Sequence, residues 1–164
     1  CETVAVESAR EMFEAVRGRI DECDAAIFCA AVADYRPVKV AERKIKKTGE
    51  NLSLDLERTE DILGSVRSQF AFGGVLIGFA AETDDLERHA REKLEKKGCD
   101  LLVANDVSRS GIGFDSDRNE VTLFFADGRR EMLSERAKSE IGQILVEIVE
   151  GLAEGAGQHH VRPS

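Results

Sequence analysis

The sequence predicts a Rossmann-like three-layer α/β/α domain with a mainly parallel sheet and one antiparallel hairpin. Short apolar runs typical of buried strands alternate with stretches of helical periodicity, the pattern of a parallel sheet with helices on its faces. Near the end, two strand-like runs are separated by Asp127-Gly128, which is typical of a hairpin turn. With 164 residues, 42% of them hydrophobic, the chain can bury a full core as one domain.

The first elements follow from a capping-box pattern and an apolar run. Ser8 and Glu11 have the spacing that opens a helix, which we expect to end near Glu22. A short strand over residues 3–6 precedes this helix. Residues 25–31 follow it and are small and apolar at nearly every position, which predicts a strand covered on both faces.

In the middle of the chain, the spacing of apolar residues changes twice between strand-like and helix-like patterns. Leu52, Leu54 and Leu56 alternate with polar residues, which predicts a half-buried strand or an edge ribbon. Thr59 is then expected to cap a helix. Residues 75–80 form a second buried strand, and Thr83 with Asp84 and Asp85 opens a helix that should end at Gly98.

The last elements complete the sheet. Residues 101–104 form a third buried strand, and residues 121–125 and 131–133 form the hairpin. A final helix places apolar residues at three-to-four spacing: Ile141, Ile144, Leu145, Ile148, Val149 and Leu152. We therefore expect one domain over residues 1–154 and a disordered tail over residues 155–164.

Composition excludes several classes of protein. The formal net charge of −9 leaves no extended basic surface for nucleic acid. The apolar runs are too short to span a membrane. Four cysteines without Cys-x-x-Cys spacing indicate packed, reduced thiols, which suits a cytoplasmic protein.

Polar residues follow all three predicted parallel strands. Asp34 follows the first strand, Glu82 and Thr83 the second, and Asn105 with Asp106 the third. Parallel strands bring these ends to one edge of the sheet, where open α/β folds bind ligands. Each residue alone could simply cap a helix or solvate a loop, so the ligand-site interpretation rests on their convergence.

Lysines near this edge predict a phosphate-rich ligand. Lys44, Lys46 and Lys47 lie in a loop that could close over a triphosphate, although three neighbouring lysines can also be a solvated charge run. Lys93 and Lys97 share one helix face, where they could otherwise only compensate the helix dipole. Neither a Walker loop nor the glycine fingerprint of dinucleotide-binding oxidoreductases is present, and three histidines disfavour a histidine triad or zinc site.

Four motifs, read together, resemble bacterial phosphopantothenoylcysteine synthetase, the synthetase half of the bifunctional coenzyme A biosynthesis protein. The resemblance extends from about Val4 to Leu152. The motifs are Ala-Ala-Val-Ala-Asp-Tyr-Arg-Pro at 30–37, Lys-Ile-Lys-Lys at 44–47, Gly-Phe-Ala-Ala-Glu-Thr at 78–83 and Asn-Asp-Val-Ser at 105–108.

The resemblance implies a phosphopantothenate–cysteine ligase. Such an enzyme uses CTP, with Mg²⁺ or Mn²⁺, to convert 4'-phosphopantothenate into an acyl-cytidylate, and cysteine then displaces CMP. It implies a homodimer, which we expect to form through the hairpin over residues 121–133 or its neighbours, and a decarboxylase domain upstream.

The resemblance also implies roles for particular residues. Asp34 and Lys44 would contact CTP, with Lys44 as the catalytic residue on the phosphates. The nucleotide pocket would be shaped by Phe79 and the segment Glu60, Asp61, Ile62 and Leu63, and Lys93 with Lys97 would complete its cationic rim. The metal ligands are not identified by the sequence.

The sequence departs from the family pattern in two places. The family's opening Gly-Gly-Thr strand and Asn-x-Ser-Ser-Gly segment are not found, so we expect an N-terminally incomplete synthetase. Thr59-Glu60-Asp61-Ile62 stands where the family usually has Asn-Pro-Asp-Ile. The alternative is a non-catalytic CTP-binding or dimerisation fragment of such an enzyme.

Overall fold

The protein was analysed as a computed structural model that describes residues 1–41, 43–46, 49, 51–82, 84–106 and 116–158. The helices are α1 (Ala9–Arg17), α2 (Ile62–Ser68), α3 (Leu86–Lys97) and α4 (Lys138–Gln158), with a 3₁₀ turn at Ile20–Glu22. The strands are β1 (Ala25–Phe28), β2 (Tyr35–Pro37), β3 (Leu56–Arg58), β4 (Val75–Glu82), β5 (Leu101–Asp106), β6 (Arg118–Phe125) and β7 (Arg130–Ala137).

Five strands form the main sheet in the order β1-β4-β5-β6-β7. The strands β1, β4 and β5 are parallel, and β6 and β7 continue the sheet as an antiparallel hairpin. Helices cover both faces, so the predicted three-layer fold is confirmed.

Alternate residues of the central strands supply two separate cores. Leu76 of β4 packs in the layer that contains Val66 of α2 and Leu94 of α3. The next residue, Ile77, packs in the opposite layer with Ile141 and Leu145 of α4. Because strand side chains alternate between the two faces, a central strand buried on both sides must be apolar at successive positions.

The beginning of the chain differs from the prediction. Residues 3–6 form no strand, and β1 ends at Phe28 instead of continuing to residue 31. The expectation that this strand is covered on both faces is wrong, because Ile27 is 44% exposed. β1 is also the edge strand of the described sheet. The capping-box helix is confirmed at its start, where the Ser8 hydroxyl accepts from the Glu11 N–H, but it ends at Arg17.

The strands β2 and β3 and the described residues between them form an exposed arm. Its base is the antiparallel ribbon of β2 and β3, which confirms the ribbon alternative for residues 56–58. The half-buried alternative is wrong. The arm's large apolar side chains are all at least half exposed: Tyr35, Val38, Val40, Ile45, Leu52, Leu54 and Leu56.

The later predicted elements are confirmed, and the strands and α4 are longer than expected. The strands β4 and β5 extend to Glu82 and Asp106, and α3 is capped at Gly98, whose φ of 65° is the left-handed conformation that glycine favours. The backbone of α4 is helical to Gln158, which differs from the predicted disordered tail at residues 155–158. Thr83, Lys47 and residues 107–115 and 159–164 lie outside the described residues. Within the described ranges, no helix has the length and apolarity to cross a membrane.

The four cysteines are free, but only Cys99 is packed as predicted. Burial raises the pKa of the Cys99 thiol to about 11, so it stays protonated at neutral pH. Cys1, Cys23 and Cys29 are exposed, and the prediction of packed thiols is wrong for them. Cys29 is exposed because it follows the edge strand rather than lying inside a central one.

The guanidinium of Arg67 joins four elements at the amino ends of the strands. Its Nη2 donates to the Asp100 carboxylate at 2.7 Å, its Nε donates to the Gly98 carbonyl at 3.0 Å, and its Nη1 donates to the Phe72 carbonyl. The same Asp100 oxygen accepts from the Leu76 N–H at 2.7 Å. This cluster therefore ties α2 to the end of α3 and to the starts of β4 and β5.

We predict that Arg67→Ala lowers the free energy of unfolding by about 2 kcal/mol, because it removes charge-assisted hydrogen bonds and leaves Asp100 without its cation. Urea unfolding followed by circular dichroism measures the loss. Arg88→Ala is the control, since Arg88 pairs with Asp85 and Glu92 on the surface and should lose less than about 1 kcal/mol. Equal losses in both variants would contradict the assigned role of Arg67.

A second prediction concerns the two glycines before β4. A Cβ at Gly74 would lie 2.8 Å from the Asp24 carbonyl carbon, beside the hydrogen bond from the Val75 N–H to Asp24 that starts the pairing of β1 and β4. Gly74→Ala should therefore cost roughly 1–3 kcal/mol of stability. Gly73→Ala is the matched control, because its Cβ would meet no atom within 4 Å, and a similar loss there would refute the steric explanation.

Candidate functional site

The predicted nucleotide residues, with the exception of Lys44, line one cavity at the carboxyl edge of the sheet. This α2 cavity, of about 170 Å³, lies between the chain that follows β1, the start of α2 and one face of α3. Its predicted members are Asp34, Glu60, Asp61, Ile62, Leu63, Phe79, Lys93 and Lys97. Residues from four separate parts of the sequence therefore meet at one place.

Thr59 holds the two sides of the α2 cavity together. Its N–H donates to the Asp34 carbonyl at 3.0 Å, and its hydroxyl donates to the Ala33 carbonyl. The prediction that Thr59 caps α2 is wrong, because its hydroxyl is used in this cross-link. Asp61 is the N-cap instead, and its Oδ1 accepts from the Gly64 N–H at 3.0 Å.

Two of the three carboxylates in the α2 cavity have basic partners. Glu60 pairs with Arg36 of β2 at 3.2 Å, and Asp61 pairs with Lys97 of α3. Burial alone would raise the pKa of Asp61, but hydrogen bonds from Lys97 and the Gly64 N–H outweigh it, so the pKa is lowered. Asp34 and Lys93 have no ion-pair partner within the described part of the chain, which leaves one anion and one cation for a ligand.

The lysine loop lies apart from this cavity. Lys44 and Lys46 are exposed, and neither lines the α2 cavity. Lys47 is outside the described residues. The structure therefore does not bring the predicted catalytic lysine together with the other site residues.

The ends of β4 and β5 meet as predicted. Ala81 pairs with Asn105 and Glu82 pairs with Asp106, so these strands reach the carboxyl edge side by side. A second cavity of about 640 Å³, the α4 cavity, lies between this edge and α4. It shares Asp34, Phe79 and Lys93 with the α2 cavity.

The described residues offer no ready protein cage for a metal ion. Nowhere in the described ranges do three or more histidine, cysteine or acidic side chains form a group that could hold one. The carboxylate of Asp34 is a hard oxygen ligand of the type that Mg²⁺ accepts beside substrate phosphates. The donor set thus fits a cation that arrives with a phosphate ligand.

Three of the residues whose role at the site sequence reasoning missed are Arg36, Thr59 and Met12. Arg36 balances Glu60, Thr59 cross-links the cavity wall, and Met12 of α1 lines the cavity. For Arg36 a signal was available, since it lies two residues after Asp34 in the same motif. The other two contacts depend on tertiary packing, which sequence spacing does not encode.

The charge pairing at Asp61 predicts a pH-dependent stability. A carboxyl whose folded pKa lies below the ordinary 3.8 stabilises the fold above that pH, and the contribution is lost as the pH falls through the folded pKa. Asp61→Asn keeps an N-cap and removes the charge, so it should lower stability at neutral pH and have little effect well below pH 3.8. The urea midpoints of the wild type and Asp61→Asn, at neutral pH and at a pH well below 3.8, measure this difference.

Lys97→Met supplies the control for this prediction. In that background, Asp61→Asn should lose most of its pH-dependent effect, because the partner charge is gone. If the effect of Asp61→Asn is the same with and without Lys97, the ion pair is not its cause.

Comparison with known proteins identifies the family. Residues 1–152 match the family model described as DNA/pantothenate metabolism flavoprotein C-terminal domain. The chain is 45% identical over 131 residues to the coenzyme A biosynthesis bifunctional protein CoaBC of Vibrio vulnificus (strain CMCP6), a match that covers 79% of this chain and 33% of that protein. The CoaBC protein of Bacillus subtilis (strain 168) is 41% identical over 157 residues, or 96% of this chain and 38% of that protein.

A solved structure agrees with the sequence relatives. The crystal structure of the C-terminal domain of a coenzyme A biosynthesis bifunctional protein CoaBC superposes with a TM-score of 0.75 at 36% identity, covering 93% of this chain and 66% of that one. The chain spans about a third of the length of the curated relatives. On this evidence, the chain belongs to the DNA/pantothenate metabolism flavoprotein C-terminal domain family, and its expected resemblance to the synthetase half of CoaBC is confirmed.

Proposed function

We propose that this chain is the phosphopantothenate–cysteine ligase unit of coenzyme A biosynthesis. In the proposed reaction, the carboxylate of 4'-phosphopantothenate attacks the α-phosphorus of CTP and pyrophosphate leaves. The amine of cysteine then attacks the acyl carbon and CMP leaves. The observation that carries this proposal is the α2 cavity, which gathers Asp34, residues 60–63, Phe79, Lys93 and Lys97 at the carboxyl edge of the sheet.

The size of the α2 cavity supports a partial enclosure of the nucleotide. A volume of about 170 Å³ is below the roughly 300–1,000 Å³ of pockets that enclose whole ligands. It suits one ring system against the apolar side chains of Phe79, Leu63 and Met12. We propose that the cytidine moiety occupies it and that the triphosphate extends beyond it.

Lys93 is the side chain best suited to the phosphates. Lys97 also lines the cavity, but it is paired with Asp61 and contributes less net positive charge. Lys93 is half-buried, so its interaction with an anion is screened less than that of a surface lysine. A divalent cation, Mg²⁺ or Mn²⁺, would be held by the phosphate oxygens and Asp34, where it would neutralise charge that develops as pyrophosphate leaves.

The role of Lys44 requires the arm to move. Lys44 is exposed on the arm, so we propose that the arm closes over the triphosphate and brings this ammonium to the phosphates in the transition state. Such a contact would affect the rate more than the ground-state affinity for CTP.

Three further assignments belong to the same proposal. The curated relatives are named bifunctional, which supports an upstream decarboxylase in the native protein. The four free cysteines suit the reducing cytoplasm. We also propose a homodimer. The residues Val121, Leu123, Phe125 and Leu133 of the hairpin expected to form the interface are buried within this chain, so a contact there would use the outer edge of β7.

We predict that the chain binds CTP with Mg²⁺ more tightly than ATP. Lys93→Gln should weaken CTP binding about tenfold or more, because it removes a half-buried cation that has no ion-pair partner among the described residues. Isothermal titration calorimetry measures both affinities. Lys39→Gln is the control, since it removes one exposed lysine charge from the arm and should leave the affinity within about twofold.

Pyrophosphate release in the presence of CTP and 4'-phosphopantothenate tests catalysis, and Lys44→Gln should reduce its rate with little change in CTP affinity. If CTP binds without any pyrophosphate release, the alternative of a non-catalytic CTP-binding fragment is correct. If neither nucleotide binds, the proposed function of this chain is refuted.

A further inference from the structure

Glu60 brings a carboxylate with one unused oxygen to the lining of the α2 cavity. Its Oε2 accepts from Arg36 Nη1 at 3.2 Å, and no hydrogen bond to its Oε1 occurs within the described part of the chain. Of the described side chains that are at least partly buried, only Asn105 has an oxygen or nitrogen that is both inaccessible to solvent and without a hydrogen-bond partner. Glu60 Oε1 is therefore accessible to a molecule in the cavity.

Arg36 holds this carboxylate in place from outside the cavity. Its Nε donates to the Glu57 carboxylate of β3 at 2.8 Å while its Nη1 donates to Glu60. The guanidinium therefore joins the base of the arm to the wall of the α2 cavity. An ionised carboxylate only accepts hydrogen bonds, so fixing Glu60 by one oxygen leaves the other as an oriented acceptor.

The other polar side chains of the α2 cavity are already used. Asp61 accepts from a backbone N–H of α2 with one oxygen and from a lysine of α3 with the other. The Thr59 hydroxyl donates to a backbone carbonyl. Asp34 and Lys93 are proposed to act on the metal ion and the phosphates. Glu60 Oε1 is the side-chain acceptor that remains for the base of the nucleotide.

Pyrimidine bases differ in the group that such an acceptor meets. Cytosine carries an amino group on its fourth ring atom, and this group donates hydrogen bonds. Uracil carries a carbonyl oxygen at the same position, and this oxygen only accepts. A carboxylate oxygen thus attracts the first base and repels the second, which gives specificity through both a favourable and an unfavourable contact.

We propose that Glu60 selects the base of the nucleotide, with its Oε1 accepting a hydrogen bond from the amino group of cytosine. This inference rests on the proposed function, because it assigns base specificity to the cavity proposed for cytidine. Arg36 is a positioning residue in this arrangement, since it holds Glu60 and does not itself line the α2 cavity.

The test compares CTP with UTP, each with Mg²⁺, by isothermal titration calorimetry of the full chain, with UTP measured by competition against CTP. We expect the wild type to bind CTP about tenfold or more tightly than UTP, because UTP places a carbonyl oxygen against the carboxylate. Glu60→Gln should bring the two affinities to within about threefold, since an amide of similar size offers both a donor and an acceptor.

Glu57→Gln is the matched control. Glu57 pairs with the same guanidinium at 2.8 Å and loses the same charge in the variant, but it does not line the α2 cavity. The preference for CTP over UTP should therefore stay within about twofold of the wild-type value. Equal loss of the preference in both variants would show that Glu60 acts only through the position of Arg36, and would overturn the inference.

A change in the ligand tests the same contact without altering the protein. The triphosphate of 2-pyrimidinone riboside is CTP without its amino group. It should bind the wild type about tenfold more weakly than CTP, because the donor to Glu60 is missing. If the wild type binds this analogue as tightly as CTP, the amino group is not recognised and the inference fails.

The outcomes distinguish this inference from the proposed function. If CTP binds and its preference over UTP is unchanged in Glu60→Gln, the base contact is refuted while the nucleotide site stands. If Glu60→Gln removes the preference but the wild type releases no pyrophosphate with CTP and 4'-phosphopantothenate, the base contact stands and the ligase function fails. If the wild type binds neither nucleotide, both are overturned.

Discussion

The ion pair between Arg67 and Asp100 is the interaction on which the arrangement of this domain depends. α2 has only seven residues, too few to be stable alone, and its position is set by tertiary contacts. Arg67 anchors its last turn to Gly98 and Asp100, while Ser65 and Val66 are buried beneath it. The opposite end of α2 begins at Asp61. A contact at the amino ends of the strands thus fixes a cavity wall at their carboxyl ends.

The same short helix explains how an acidic chain can offer a site for an anion. The formal net charge is −9, and the α2 cavity itself contains three carboxylates. Arg36 and Lys97 compensate two of them locally, so the field inside the cavity is not that of the whole surface. The groups of the cavity without an ion-pair partner among the described residues are the carboxylate of Asp34 and the ammonium of Lys93. Local pairing, rather than net charge, therefore decides which ligand such a cavity accepts.

The sequence predicted the layers and the site composition better than the boundaries. Buried strands such as β4 are apolar at successive positions, and every residue predicted for the nucleotide pocket except Lys44 lines the α2 cavity. The wrong predictions concern residues whose environment is set by tertiary packing. β1 is as apolar as a central strand but lies at an edge, and Thr59 has the chemistry of a cap but bonds to Ala33 instead. The unsatisfied oxygen of Asn105 depends on what surrounds it in three dimensions, which composition and spacing do not report.

The exposed apolar arm has a thermodynamic consequence. Leu52, Leu54 and Leu56 keep more than half of their surface in water, and four further large apolar side chains of the arm are similarly exposed. Any association that covers them transfers ordered hydration water to the bulk. Such an association is expected to be driven by entropy near room temperature, to have a negative heat-capacity change and to weaken on cooling. Cooling is therefore expected to favour the separate chains wherever such an association forms.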